Sequence, residues 1–459
     1  MARVRRRPAE GALSGPPDLA GEYNRLLAED APAAVEQAAW LDRAFAEAGI
    51  TFDGVPMRSF LRPHLLVRPE WDRLRDGGRR LLELAARVAR HAFDGDVSRL
   101  CAFLGTPEAE ARWVAIDPGP PDVVLSRLDA FLDAGVPRFI EVNSDAPAGF
   151  GYGDRMAEVV AQLPVFRRFA AGRAVRYHES GPALVDAVAG AWRARGGAGS
   201  PVVAIVDWAD VKTRADQEIL RALFQSRGMA CTLADPRDAV LSGGRLSFGG
   251  AAVDVVYRRG VLSELVEREA DVRVFLDAYR RGATVFVNSF RCHLSEDKAF
   301  FALLTDEAFA SLTSPDERRF LAEVVPWTRR VAERRTLHAG REVDLVPFIV
   351  ANREALVLKP AHGYGGRSVL VGDETPADVW EATTLTALGE PWVAQQRVAI
   401  PEEPFPVVEG GALRFEALKI NVNPFYAAGA EVGAVTRASR SSVINVSAGG
   451  GSVPTFVVG

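Results

Sequence analysis

Cysteine is scarce: Cys101, Cys231 and Cys292 are the only three in 459 residues. Odd in number and far apart, they offer neither a disulfide framework nor a four-cysteine zinc site, so a reducing, cytoplasmic setting is expected. No stretch approaches the roughly 18 uninterrupted apolar residues of a membrane span. Charge of one sign is also missing: 55 Lys and Arg against 60 Asp and Glu leave a formal net charge of -5, with no general pull toward nucleic acid or an anionic membrane. The basic start, Arg3 and Arg5 to Arg7, runs into Pro8, Glu10 and Gly11 rather than an apolar segment, and reads as a solvated tail. Two nucleotide signatures are absent as well. There is no P-loop spacing and no G-x-G-x-x-G after a strand, which argues against a P-loop NTPase and a Rossmann cofactor site. The adjacent Cys292 and His293 would point to opposite faces of a strand, so they read as a core or supporting pair rather than a nucleophilic one.

What is present is an ordinary globular composition, 48% hydrophobic and 25% charged, in a chain long enough for two or three packed subdomains. Apolar positions recur at helical spacing over residues 20 to 48 and 69 to 93, the second run ending at Asp94-Gly95. The N-terminal quarter, residues 1–115, is therefore expected to be mainly helical. From about residue 180 strands and helices alternate: PVVAIVDW reads as a buried strand, RADQEILRALFQSRG as a helix and AVDVVYRRG as another strand. That texture predicts an open α/β subdomain.

Chemistry enters with the period-2 runs VVLSRLDAF and RFIEVNSDAP, separated by turn material from Asp133 to Pro137. Arg127 and Asp129 share one strand face, and so do Glu141 and Asn143, with Leu128, Ile140 and Val142 expected on the other. Paired as a hairpin, the strands would gather two carboxylates, an amide oxygen and a guanidinium. Magnesium takes such hard oxygen ligands together with phosphate oxygens and water. An amphipathic hairpin with a wet polar face is the equal alternative at this point.

Further on, EALVLKPAHGYGGRSVLVG ends a buried strand at Lys359 and continues into a loop with Gly363, Gly365 and Gly366. Glycines let backbone amides approach phosphate oxygens and a lysine adds a compact charge, although a tight hairpin turn would leave the same trace. Lys298 stands near a helix start, where a cation is out of place unless it serves an anion. In WVAQQRVAIPEEP the backbone from Gln396 to Val398 could meet an adenine edge, with Glu402 or Glu403 near the ribose. Arg437, and less so Arg440, could stabilise a transferring phosphoryl group; a solvated edge strand is the alternative. Arg258 and Arg259, which end a strand of the middle subdomain, are candidates for an acid substrate.

Together these segments resemble the circularly permuted ATP-grasp proteins related to glutathionylspermidine synthetase. The resemblance rests on R-x-D and E-x-N (Arg127, Asp129, Glu141, Asn143), then Lys298, Lys359 with its glycine loop, the QQRV hinge and a G-x-x-x-R segment ending at Arg437. It covers roughly residues 120 to 160 and 285 to 459. It implies a mixed α/β fold divided into the helical region 1–115, a metal-binding hairpin 116–165, a pre-ATP-grasp-like α/β substrate subdomain 166–290 and nucleotide-binding subdomains 291–459. It further implies ATP and Mg2+ as cofactors, with Asp129, Glu141 and Asn143 on the metal. Lys298, Lys359, Gly363, Gly365, Gly366, Gln396 and Val398 would lie on the nucleotide, and Arg127 and Arg437 would be catalytic. The implied activity is a carboxylate-amine ligase making an amide through an acyl phosphate and releasing ADP and phosphate. A nucleotide-binding partner or regulatory protein without catalysis, and a small-molecule phosphotransferase, are the competing readings. The expected partners are a small carboxylate and an amine, with no nucleic acid or membrane; monomer and homodimer both stay open. Two departures are visible: the usual hinge glutamate is Gln396, and no cysteine amidase domain precedes the synthetase-like part.

Overall fold

The computed structural model describes residues 18–363, 368–444 and 450–459. Its largest sheet has eight strands and is built from both ends of that span. In spatial order its main path runs His64–Val67, Gly451–Val458, Ala430–Ser439, Ala412–Ala427, Leu125–Asp133 and Val136–Asn143, with Glu402–Glu409 and Val175–Arg176 pairing off that path. The first pair is parallel and the rest are antiparallel. A strand from the expected helical quarter therefore belongs to the main sheet.

One face of this sheet is covered by the helix Arg68–His91, whose Trp71, Leu74, Leu81, Leu84 and Val88 are buried at the helical spacing expected. Gly77 and Gly78 sit on the same stripe and let the helix approach: a Cβ at Gly78 would lie 1.9 Å from the Tyr426 hydroxyl. That hydroxyl donates to the Leu74 carbonyl at 3.0 Å. The other face packs against Phe150–Val160 and the N-terminal helices, joining Tyr23, Leu41, Phe150, Met156, Phe425, Val435 and Phe456 in one cluster.

The middle of the chain forms a four-stranded parallel sheet, ordered Val285–Val287, Val255–Arg258, Val203–Val206, Cys231–Ala234. Its strands are short and almost wholly apolar, as a sheet covered on both faces requires, in keeping with the expected α/β texture. A separate antiparallel sheet, Thr328–Arg330, Trp392–Gln396, Leu356–Pro360 and Leu370–Val371, carries the lysine strand. Among the described residues no helix is long and apolar enough to cross a membrane.

Candidate functional site

The hairpin forms as its alternation predicts. Ala134 and Gly135, both at positive φ, make the two-residue turn, and the register sets Asp129 opposite Glu141 and Arg127 opposite Asn143. One detail departs from the expectation. Pairing skips a residue after Asp129, so Ile140 has no partner; this bulge sends Phe139 into the core and turns Ile140 toward the polar face.

That face forms one wall of a cleft of about 330 Å³. Lys298, Lys359, Gly363, Gln396, Val398 and Arg437 line it together with Arg127, Asp129, Glu141 and Asn143. Segments more than 300 residues apart thus meet: Arg437 reaches Asp129 at 3.1 Å, the two being 308 positions apart in the chain. The neighbouring strands explain this, because Arg437 lies opposite Asn421 on the strand that pairs with Leu125–Asp133.

Asp129 is the most crowded member. Its Oδ1 accepts from Arg127 Nε at 3.1 Å and Asn143 Nδ2 at 3.1 Å, while Oδ2 faces Arg437. Burial works against its charge, but the two guanidiniums outweigh that and hold the carboxyl below its usual range. Glu141 receives Lys298 Nζ at 2.9 Å, and the same ammonium donates to the Gly363 carbonyl at 2.7 Å. Burial would depress Lys298, yet Glu141 reverses the shift and raises it. Arg437 is pulled down by burial and by Arg127, with Asp129 and Glu141 resisting.

Lys359 differs from these. It is 9% exposed, and its ammonium donates at 2.7 Å to the neutral Gln395 side-chain oxygen, with no carboxylate in ion-pair range among the described residues. Burial pushes it down to about 8, Lys298 contributing in the same direction and Glu141 opposing. Its β position, opposite Val393 on the strand ending in Gln396, fixes it against the hinge segment.

Several expected residues sit elsewhere. Arg258 is fully buried, 2.5 Å from Asp145 and 3.4 Å from the Cys292 sulfur; Arg259 is buried between Asp216 and the Pro147 carbonyl. Neither lines the cleft; a strand end in a parallel sheet can point inward as readily as outward. Glu403 is taken by Arg62 at 2.7 Å and His64 at 3.5 Å, partners that overcome its burial and hold it down to about 2, so it does not face a ribose. Arg440 is exposed and paired with Glu409 and Glu416. Cys292 and His293 lie in a helical turn, not a strand. Gly365 and Gly366 fall outside the described residues.

Other lining residues carried no motif. Gln395, one position before the hinge residue singled out, is the direct lysine partner. Asn421 lines the cleft and donates to the Ala130 carbonyl; the alternation Lys419, Asn421, Asn423 against Ile420 and Val422 was the available signal. Phe52, Met57, Tyr152 and Met156 add apolar lining. Glu296 accepts from the backbone amides of Ser144 and Asp145, pinning the chain just after Asn143; burial and Asp145 push its carboxyl up to about 8.

No protein-family profile matches the chain. Over the solved structures, a glutathione synthetase-like effector of Globodera pallida in its apo form superposes with a TM-score of 0.62, covering 93% of this chain and 98% of its own, at 12% identity. The two folds are alike. In sequence, uncharacterized proteins of Mycobacterium tuberculosis and Mycobacterium bovis are each 26% identical across 98% of this chain and 83% of their own length. A synthetase-like mixed α/β architecture therefore encloses the cleft, built from strands of two sheets.

Proposed function

We propose that the chain is an ATP- and magnesium-dependent carboxylate-amine ligase of the circularly permuted ATP-grasp kind. The observation that carries the reading is Lys359, a buried ammonium with only an amide oxygen beside it, facing the same cleft as Asp129 and Glu141. A buried cation without a carboxylate is costly unless an anion completes it. The charge balance fits that need. Arg127, Lys298, Lys359, Arg397 and Arg437 face two lining carboxylates, Asp129 and Glu141; with Arg397 paired to Asp373 outside the lining, an excess of two positive charges is left. That is the sign a magnesium-bound triphosphate requires.

The metal also suits the donors. Asp129, Glu141 and the Asn143 amide oxygen are hard oxygen atoms on register-matched positions, the set magnesium accepts alongside phosphate and water. Bound there, it would neutralise phosphate charge. Lys298 and Lys359 would hold the phosphoryl group from two sides, and Arg437 would offset charge on the equatorial oxygens. Gln396 to Val398 and the Gly363 turn would flank the nucleotide, and Arg127, anchored to the Ala148 carbonyl at 3.1 Å, would keep Asp129 in place. A substrate carboxylate oxygen attacks the γ-phosphorus as its bond to ADP breaks. An amine then attacks the acyl carbon, expels phosphate and gives up a proton. Alignment and charge compensation suffice for the first step, with no side-chain nucleophile.

An ADP-release screen over amino acids, small carboxylic acids and polyamines tests this, with Asp129→Ala and Lys359→Ala as controls. ADP formation that needs both an acid and an amine, and that falls roughly 10²–10³-fold in each variant, is the expected result. ADP formation without an amine would indicate a phosphotransferase. Nucleotide binding with no turnover in any mixture would indicate a regulatory protein.

A further inference from the structure

Next to Lys298 and Lys359 lies a second polar cluster, to which the proposed ligase chemistry assigns no role; one of its members, His362, also lines the cleft. His293, Asp297 and His362 bring one nitrogen or carboxylate oxygen each within 4.8 Å of the others. His362 follows Lys359 in the loop, Asp297 immediately precedes Lys298, and His293 starts the turn before it. His362 Nε2 lies 2.7 Å from the Gly105 carbonyl, a contact that places the proton on Nε2 and leaves the Nδ1 lone pair free. That lone pair faces Asp297 Oδ2 at 2.6 Å, yet neither atom has a properly aligned hydrogen bond among the described residues.

Two lone pairs so close repel, so a positive species lies between them: a proton, which Asp297 favours by raising the His362 imidazole against its burial, or a metal ion, which the poor alignment of the two atoms for a hydrogen bond favours. The His293 ring stacks beside His362, centroids 5.7 Å apart and planes 11° off parallel, with both of its nitrogens lacking a hydrogen-bond partner among the described residues. Asp297 is fully buried, and Glu110 stands 3.6 Å from His293 Nε2 as a further oxygen donor. A ligating histidine that donates its other N–H to a backbone carbonyl is the usual support around a metal.

We infer that His293, Asp297 and His362, with Glu110 alongside, form a site for a divalent first-row transition metal such as Zn2+, separate from the magnesium donors. Two imidazoles and a carboxylate suit zinc, whereas magnesium prefers oxygen throughout. Metal-ligand bonds of roughly 2.0–2.2 Å would set the donors roughly 3–3.5 Å from one another, so the 2.6 Å His362–Asp297 pair would open slightly while the wider spacings, up to 4.8 Å, would close. The bound ion would clamp the loop holding Gly363 to the helix start holding Lys298, the two groups already joined by their own hydrogen bond.

The test is Zn2+ binding to the untagged, chelator-stripped chain by calorimetry, which needs no turnover and so stands or falls apart from the ligase reading. One equivalent bound by the wild type, with a melting temperature raised by Zn2+ and not by Mg2+, is the expected result. His293→Gln and His362→Gln should each weaken binding more than tenfold, and the surface variant His91→Ala should not. Should the wild type take up no stoichiometric Zn2+, or the double variant bind as well as the wild type, the cluster is an imidazolium–carboxylate contact and the inference is overturned.

Discussion

Lys359 carries a pH signature. Its ammonium is depressed to about 8 by burial, so the free protein loses that charge as pH rises through 8 and no longer offers it to an anion. Nucleotide affinity should be level below this value and fall above it by up to tenfold per pH unit; Lys359→Arg should flatten the profile. Calorimetry across buffers of different ionisation heat would show proton uptake on binding above pH 8. Asp129 behaves in the opposite sense. Its depressed carboxyl stabilises the fold fully above about pH 4, and the contribution is lost as pH falls through the lower folded value. Asp129→Ala strands Arg127 and Arg437 together and should cost about 3 kcal/mol, read as a lower urea midpoint. Adding ATP should recover part of the loss, since an anion replaces the missing carboxylate.

The elements show why parts of the site were legible in the sequence and others not. Alternation places side chains on a strand face, so Arg127, Asp129, Glu141 and Asn143 could be grouped from spacing alone, and the hairpin between Leu125 and Asn143 followed from its turn; Arg437, 308 positions from Asp129, could not. A bulge breaks the period, and nothing in RFIEVN announces that Ile140 and not Phe139 reaches the cleft. Strand ends are equally silent: Arg258 and Arg259 read as outward, but Asp145 and Asp216 wait for them inside. Such partners lie more than 40 positions away in the chain, beyond the reach of local pattern. Helix packing gives its own forecast. Gly78→Ala drives a methyl into the Tyr426 hydroxyl and should destabilise the fold by about 1–3 kcal/mol, with Tyr426→Phe recovering some of it; thermal unfolding of both variants and the double variant checks this.

At the scale of the whole molecule, the strand Gly451–Val458 is buried at every position and lies between His64–Val67 and Ala430–Ser439. Deleting residues 451–459 should therefore abolish folding rather than trim an edge, seen as loss of soluble product and of the far-ultraviolet circular dichroism of the wild type. The same placement has a temporal side. Residues 64–67 are synthesised long before 451–458, and their parallel pairing waits on a strand that emerges after every other strand of the sheet. During translation the early helices would hold an open sheet flank with nothing to zip against. A ribosome that stalls before residue 451 would thus release a chain with an unsealed edge, a natural substrate for chaperones and proteases.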